Sequence, residues 1–332
     1  MLLTLAQQRQ VLFFGGKGGV GKTTLASATA LLAARQGRRV LLVSTDPAHN
    51  LGHLWERKVG PTPVPLRDGL DGMEIDPAES LEAHLKQVGG TLRRLMPHHL
   101  TSEVDKHLER SRDAPGMHEA ALLERLAQTL IDGLRQYDLL VFDTAPSGHT
   151  ARLMALPEMM TVWTEGMLRQ QARSDTLTRA LQGAGADNQM GARIIGESGK
   201  SVSVAQRDDT IRTLLNQRRE RFTVLRDVVA DSQRAGFVIV LAAERLPVME
   251  TIEFEAQLRR AGVPVAGLVV NKRTPAQAGE FFAERHEQEA RYMTQLHEAL
   301  PSLPVQEVVL QRLEVVGETG LSALAEQLST GL

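Results

Sequence analysis

Short apolar runs alternate along the chain with longer stretches whose apolar residues recur at helical spacing. Residues 11–14 form one such run and stop at glycines; residues 40–44 form another and stop at Thr45, Asp46 and Pro47. Apolar runs of this length, bounded by turn formers, read as strands buried on both faces. Between them, residues 22–36 place Leu25, Ala28, Leu31, Leu32 and Ala34 along a helix, with Gly37 following as a C-terminal cap. Strand, glycine loop, helix, strand is a βαβ unit. Further apolar runs at 139–142, 237–242, 265–270 and 305–310 each follow a helix-favouring stretch. The pattern predicts an α/β fold, a doubly wound and mostly parallel sheet flanked by helices. Its crossovers are right-handed, and its ligands gather outside the carboxyl ends of the strands.

Two segments depart from the alternation. Residues 156–232 read as helical without a strand, and their middle, 182–200, is rich in Gly, Asn and Ser. They are expected to form a helical insertion with a loop, inside a single domain covering residues 1–332. Residues 81–114 are a second helical stretch, broken by Pro97 and Pro115.

The clearest chemistry lies after the first strand. Gly16, Lys17, Gly18, Gly19, Val20, Gly21, Lys22 and Thr23 satisfy the phosphate-loop pattern G-x-x-x-x-G-K-[ST], and Thr24 continues into the predicted helix. Glycines let backbone N–H groups turn inward around phosphate oxygens, and the helix N-terminus adds a favourable dipole. Lys22 is placed to reach β- and γ-phosphates, and the Thr23 hydroxyl to ligate Mg²⁺, with ATP as substrate. Lys17 is a second lysine that the pattern does not require. It is either a solvated side chain or a charge offered in trans across a dimer interface.

Two carboxylates follow predicted strands on the same edge. Asp143, after residues 139–142, has the position of the group that holds Mg²⁺. Asp46 is the candidate for orienting the attacking water. The competing reading for both is an Asx-turn or helix cap.

Composition narrows the partners. A formal net charge of -2 argues against nucleic acid, leaving Arg218, Arg219 and Arg221 as a local patch or a solvated helix face. There is no cysteine, so thiolate metal sites and disulfides are excluded within the chain. His98, His99, His107 and His118 lack compact ligand spacing, and no zinc is expected. No apolar stretch is long enough to span a membrane and no leader is visible, so the protein is expected in the cytoplasm.

Residues 17–24 are similar to the deviant phosphate loop of the nitrogenase iron protein, partition ATPases and arsenical pump-driving ATPases. Asp46-Pro47-Ala48-His49-Asn50 and Asp143-Thr144-Ala145-Pro146-Ser147-Gly148-His149-Thr150 narrow the resemblance to the arsenical pump-driving and tail-anchored-protein targeting ATPases. Residues 218–222, 244–247 and 269–271 resemble bacterial single-copy members, so the resemblance spans most of the chain. It implies a homodimer in which Lys17 crosses to the partner's nucleotide. It also implies that residues 46–50 and 143–150 are switch segments coupling the γ-phosphate to closure, and that Asn271 contacts adenine. On the residues alone, the alternative for Asn271 is a hydrogen-bonding loop residue. Residues 307–317 are similar to a looser version of the family's adenine-side loop and are left outside the site.

The missing cysteines depart from members that sense arsenite or hold zinc through thiolates. Met154, Met159, Met160, Trp163 and Met167 suit either a surface for hydrophobic client helices or an ordinary core or dimer helix. The leading expectation is a nucleotide-gated dimer handling a hydrophobic client or membrane protein partner. The alternatives are an arsenite or anion pump-driving subunit working without cysteine ligands, a partition-type ATPase, and a small-molecule ligase or kinase. A partition-type enzyme calls for a basic patch or a terminal amphipathic helix, and residues 320–332 are too short and acidic for such a helix.

Overall fold

A computed structural model describes the chain apart from residues 47–49, 96–100, 113, 115, 146–149, 151–152, 161, 163–164, 167–168, 170–203, 276–278 and 331–332. The strands are β1 (Val11–Gly16), β2 (Val40–Ser44), β3 (Val64–Arg67), β4 (Leu70–Glu74), β5 (Leu139–Asp143), β6 (Ala235–Ala242), β7 (Val265–Arg273) and β8 (Val305–Val309). They form one sheet in the order β3-β4-β2-β5-β1-β6-β7-β8. Every pairing is parallel except β3 with β4. The helices are α1 (Leu2–Gln8), α2 (Lys22–Arg35), α3 (Asn50–Trp55), α4 (Pro77–Leu95), α5 (Thr101–Arg112), α6 (Met117–Gln136), α7 (Val204–Ala230), α8 (Arg245–Arg260), α9 (Glu280–Ala299) and α10 (Gly317–Thr330).

The strands are apolar on both faces because each face carries its own core. Leu12, Phe14, Leu42, Val141, Val238, Val240 and Val269 pack under α1, α2 and α10. The alternate residues Phe13, Val43, Phe142, Phe237, Ile239 and Leu268 pack under α6, α7, α8 and α9. On that second face Phe13 stacks on Phe142 at 5.0 Å and on Phe237 at 6.1 Å, while Phe254 meets Phe237 edge-on at 5.6 Å. These rings tie β5, β1 and β6 together, and offset aromatic contacts add to their area burial. The three central strands therefore end in a defined register at the edge where the chemistry lies.

The expected cap of α2 is present: Gly37 has φ +86, and the N–H groups of Gly37 and Arg38 bond Ala34 O and Ala33 O at 2.9 and 3.2 Å. The sequence pattern did not point to α1, β3 or β4. Residues 70–74 hold too few apolar side chains to read as a strand, yet the ladder from Val40–Leu70 to Ser44–Glu74 pairs them fully with β2. Leu66 of β3 covers Gly72, where a Cβ would strike the leucine side chain. Pro65 is tolerated because β3 is an edge strand.

Of the stretch expected as an insertion, residues 153–160 and α7 are helical. Phe222, Leu225, Val228 and Val229 are buried against the sheet, so the C-terminal part of α7 is a flanking helix of the main fold. Met154 is also core, whereas Met159 and Val162 are 64% and 65% exposed. Trp163 and Met167 lie outside the described residues.

One buried carboxylate joins the helical layer. Glu124 of α6 has His84 Nδ1 of α4 at 2.8 Å, Arg218 Nε at 3.4 Å and Arg221 Nη1 at 3.5 Å, both from α7. Burial pushes its carboxyl up, but the His84 hydrogen bond and then the charges of Arg218, His84 and Arg221 outweigh it, leaving the group below its ordinary value. A depressed folded-state value stabilises the fold above the unfolded-state value and loses that effect as pH falls. Glu124→Gln is expected to lower stability by about 1–3 kcal/mol at neutral pH. In denaturant titrations the gap from wild type should be full above about pH 5.5 and close as pH falls below about 4.3 and on through the lower folded-state value.

Candidate functional site

The connection from β1 to α2 forms a cradle of backbone amides. Gly16 has φ +145, and a Cβ there would run into Val240 O; Gly21 has φ +94, and a Cβ there would strike Asn271 Nδ2. Both positions demand glycine for conformation and for space. Lys22 is 5% exposed at the start of α2, and its ammonium donates to Lys17 O at 3.2 Å. Burial pulls its pKa down, opposed by the charges of Asp143 and Asp46. A buried ammonium with one backbone acceptor has donors to spare for an anion.

Asp143 ends β5 between Phe14 of β1 and Ser44 of β2. Its Oδ2 accepts the Thr23 hydroxyl at 2.7 Å and the Ser44 hydroxyl at 3.3 Å. Its Oδ1 is buried and, among the described residues, has no hydrogen-bond partner. Burial raises the carboxyl to about 6 against the hydrogen bond from Thr23 and the charge of Lys22, and Asp46 adds to the rise. An acceptor-only oxygen left unpaired in the interior is costly unless a cation completes it. The donor set, one hydroxyl and one carboxylate, suits a hard divalent cation.

Asp46 lies just past β2, and its backbone N–H donates to Ser44 Oγ at 3.3 Å. Its charge acts on both Lys22 and Asp143, so the three ionisable groups form one cluster. The parts of the two expected switch segments at 47–49 and 146–149 lie outside the described residues. Their flanks are anchored. Thr144 Oγ1 donates to Phe14 O at 2.8 Å, and Thr150 Oγ1 to Ala145 O at 2.6 Å. After the first switch, the Gly52 N–H of α3 donates to Glu74 Oε1 at 3.0 Å.

A cavity of about 630 Å³ opens over the cradle, lined by Lys22, Thr23, Thr24, Asp46 and Asn271, and on its far side by residues 309–316. Nucleotide-sized ligands occupy cavities of this order. The loop left outside the expected site is thus a wall of it. Its signal was present in the sequence, since β8 ends on the same edge as every other parallel strand and Leu310, Leu313 and Val316 are apolar residues in a loop. Leu313 is 83% exposed.

Asn271 stands at this cavity and also braces the phosphate loop, donating from Nδ2 to Val20 O at 2.8 Å. Lys272 adopts φ +59, a strained conformation for a side chain of its size, and its ammonium donates to Gly19 O at 2.9 Å. Neither loop contact was visible in the sequence, where the partners are 251 and 253 residues apart. Beneath them Arg273, buried, bonds Glu289 Oε2 and Glu307 Oε2, both at 2.6 Å. Lys17 points elsewhere: its ammonium pairs with Glu250 Oε1 of α8 at 2.8 Å.

Residues 9–330 match the anion-transporting ATPase family. The chain belongs to this family. It is 30% identical to an arsenical pump-driving ATPase of Acidiphilium multivorum over 97% of its own length and 50% of that protein's. It is 28% identical to an arsenical pump-driving ATPase of Escherichia coli over 95% of its own length and 49% of the relative's. It is 29% identical to the Paramecium tetraurelia ATPase ASNA1 homolog 2, over 96% and 92% of the two chains. The chain therefore spans about half of the two bacterial proteins and most of the Paramecium one. As a member of this ATPase family it binds and hydrolyses ATP. Among the described residues, no helix is long and apolar enough to cross a membrane.

The Arg273 strut supports both loop braces, which gives a direct test. Arg273→Met removes one of the two guanidinium groups on the buried Glu289, which keeps Arg285 at 3.4 Å and the Thr274 N–H and hydroxyl, and is expected to cost about 1.5–3 kcal/mol of stability. The denaturation midpoint should fall accordingly, and adding Glu289→Gln should recover part of the loss.

Proposed function

We propose that this ATPase is a Mg²⁺-dependent homodimer whose nucleotide-driven closure handles a hydrophobic client or a membrane protein partner. The observation that carries the chemistry is the unpaired, buried Oδ1 of Asp143 beside the Thr23 hydroxyl. In this reading Thr23 and Asp143 hold Mg²⁺, which when bound neutralises charge on the β- and γ-phosphates. Backbone amides from Gly16 to Thr24 hold the phosphate oxygens, and Lys22 supplies positive charge to them in cis. Asp46 orients the attacking water, since its carboxylate acts on the same cluster as Lys22 and Asp143. Asn271 and the exposed apolar residues of the 309–316 loop enclose the base, Leu313 being free to lie on a flat ring.

Lys17 serves the partner's nucleotide in trans. Support comes from its ammonium being turned to Glu250, away from the cradle that Lys22 already fills. The client reading draws on the resemblance of residues 46–50 and 143–150 to tail-anchored-protein targeting ATPases and on Met159 and Val162, three residues apart and both exposed. The pump-driving reading remains the second one, because the bacterial relatives carry that name, but the chain has no cysteine with which to sense a metalloid as a thiolate.

Three variants separate the roles. Lys22→Ala is expected to lose nucleotide affinity and turnover together, by about 100-fold or more in turnover. Asp46→Asn should keep nucleotide affinity and lose about 100-fold or more in turnover. Lys17→Ala should also bind nucleotide and lose about 1,000-fold, the scale of a missing trans-acting cation. Steady-state ATP hydrolysis with and without Mg²⁺, arsenite or a solubilised apolar-helix peptide tests the remainder. Stimulation by the peptide and not by arsenite is expected; stimulation by arsenite alone would overturn the client reading.

A further inference from the structure

The loop lysine that the phosphate-loop pattern does not require is held by a residue with no role in the site described so far. Lys17 and Glu250 form an ion pair at 2.8 Å, with side chains 37% and 42% exposed. Glu250 lies on α8, on the far side of β6 from the catalytic carboxylates, and its turn of helix exposes Leu246 and Met249 by 60% and 55%. Positions 246, 249 and 250 share one face of the helix. Beside the pair, the tip of the loop is open: a Cβ on Gly18 or Gly19 would meet nothing within 4 Å. The lysine, its carboxylate and two apolar side chains thus lie beside one another at the surface.

We propose that Glu250 is the positioning residue for Lys17, holding its ammonium away from nucleotide in the separate chain and yielding it when a second copy presents its own bound phosphates to this face. The inference rests on the proposed trans role of Lys17. One ammonium has to divide its interaction between a single carboxylate and a polyphosphate of higher charge. In water the exposed pair is weak, so it delays Lys17 without trapping it. When a second copy excludes water from the face, leaving Lys17 on Glu250 forgoes the stronger interaction with phosphate, and the balance tips. Assembly and availability of the lysine then become one event, and a lone chain does not spend its lysine on its own nucleotide.

The test is ATP turnover per chain as a function of chain concentration, with Glu250→Gln, Lys17→Ala, the double variant and Glu253→Gln as an exposed control on the same helix. An exposed pair shifts a balance by up to about five-fold, and a symmetric dimer releases two, so E250Q should lower the half-maximal concentration by between about two-fold and 25-fold. The plateau turnover should stay where it is, and nucleotide affinity with it. E253Q should follow wild type, and with Lys17→Ala present E250Q should change nothing. A superimposable E250Q curve, a lowered E250Q plateau, or an equal shift in the Lys17→Ala background would overturn the role of Glu250. Full turnover in K17A at every concentration would instead overturn the trans reading on which it rests.

Discussion

The carboxylate of Asp143 is where the geometry of the molecule converges. It sits wholly buried where β5 ends between β1 and β2, with one oxygen satisfied by Thr23 and Ser44 and the other, among the described residues, left without a partner. A group so placed is tolerated only if its surroundings are fixed, because any slip of the three strands would strand both oxygens. The aromatic stack of Phe142, Phe13 and Phe237 supplies that fixity from the opposite face. Packing on one side of the sheet thereby maintains an electrostatic imbalance at its edge, and that imbalance is what a phosphate-bound cation is suited to relieve.

The phosphate loop is braced from a second direction. Asn271 and Lys272 reach the carbonyls of Val20 and Gly19 from the end of β7, and the ion cluster of buried Arg273 and Glu289 with the exposed Glu307 fixes that end. The same residues border the wall formed by 309–316, and Leu310 N bonds Arg273 O at 2.9 Å. The base side and the phosphate side of the cavity consequently share one support. A change in the loop at β8 has a short mechanical path to the amides that hold phosphate.

Two lysines five residues apart illustrate how placement separates roles. Lys22 is buried and turned into the cradle; Lys17 is half-buried in the loop and paired with a carboxylate of α8. Their charge is identical, and their difference lies in which groups the fold sets opposite each of them. The proposed division of labour, one acting on its own nucleotide and one on a partner's, follows that difference.

What the sequence determined by itself was local: the phosphate loop with its glycines, the capped helix after it, and six of the strands. Each depends on residues near one another in the chain, through periodicity or conformational demand. Asp46 and Asp143 were legible because any residue just past a parallel strand lies on the ligand edge. Tertiary structure alone decided the rest. Residues 70–74 are a strand because β2 offers an unpaired edge, and the 309–316 loop is a cavity wall because β8 is brought beside β7. The orphaned oxygen of Asp143, the clamp of Asn271 and Lys272 on the loop, and the hold of Glu250 on Lys17 join residues 120 to 253 positions apart, or need burial to have any meaning. Spacing along a chain carries no information about such distances, since only the closed sheet with its two cores brings those side chains within reach.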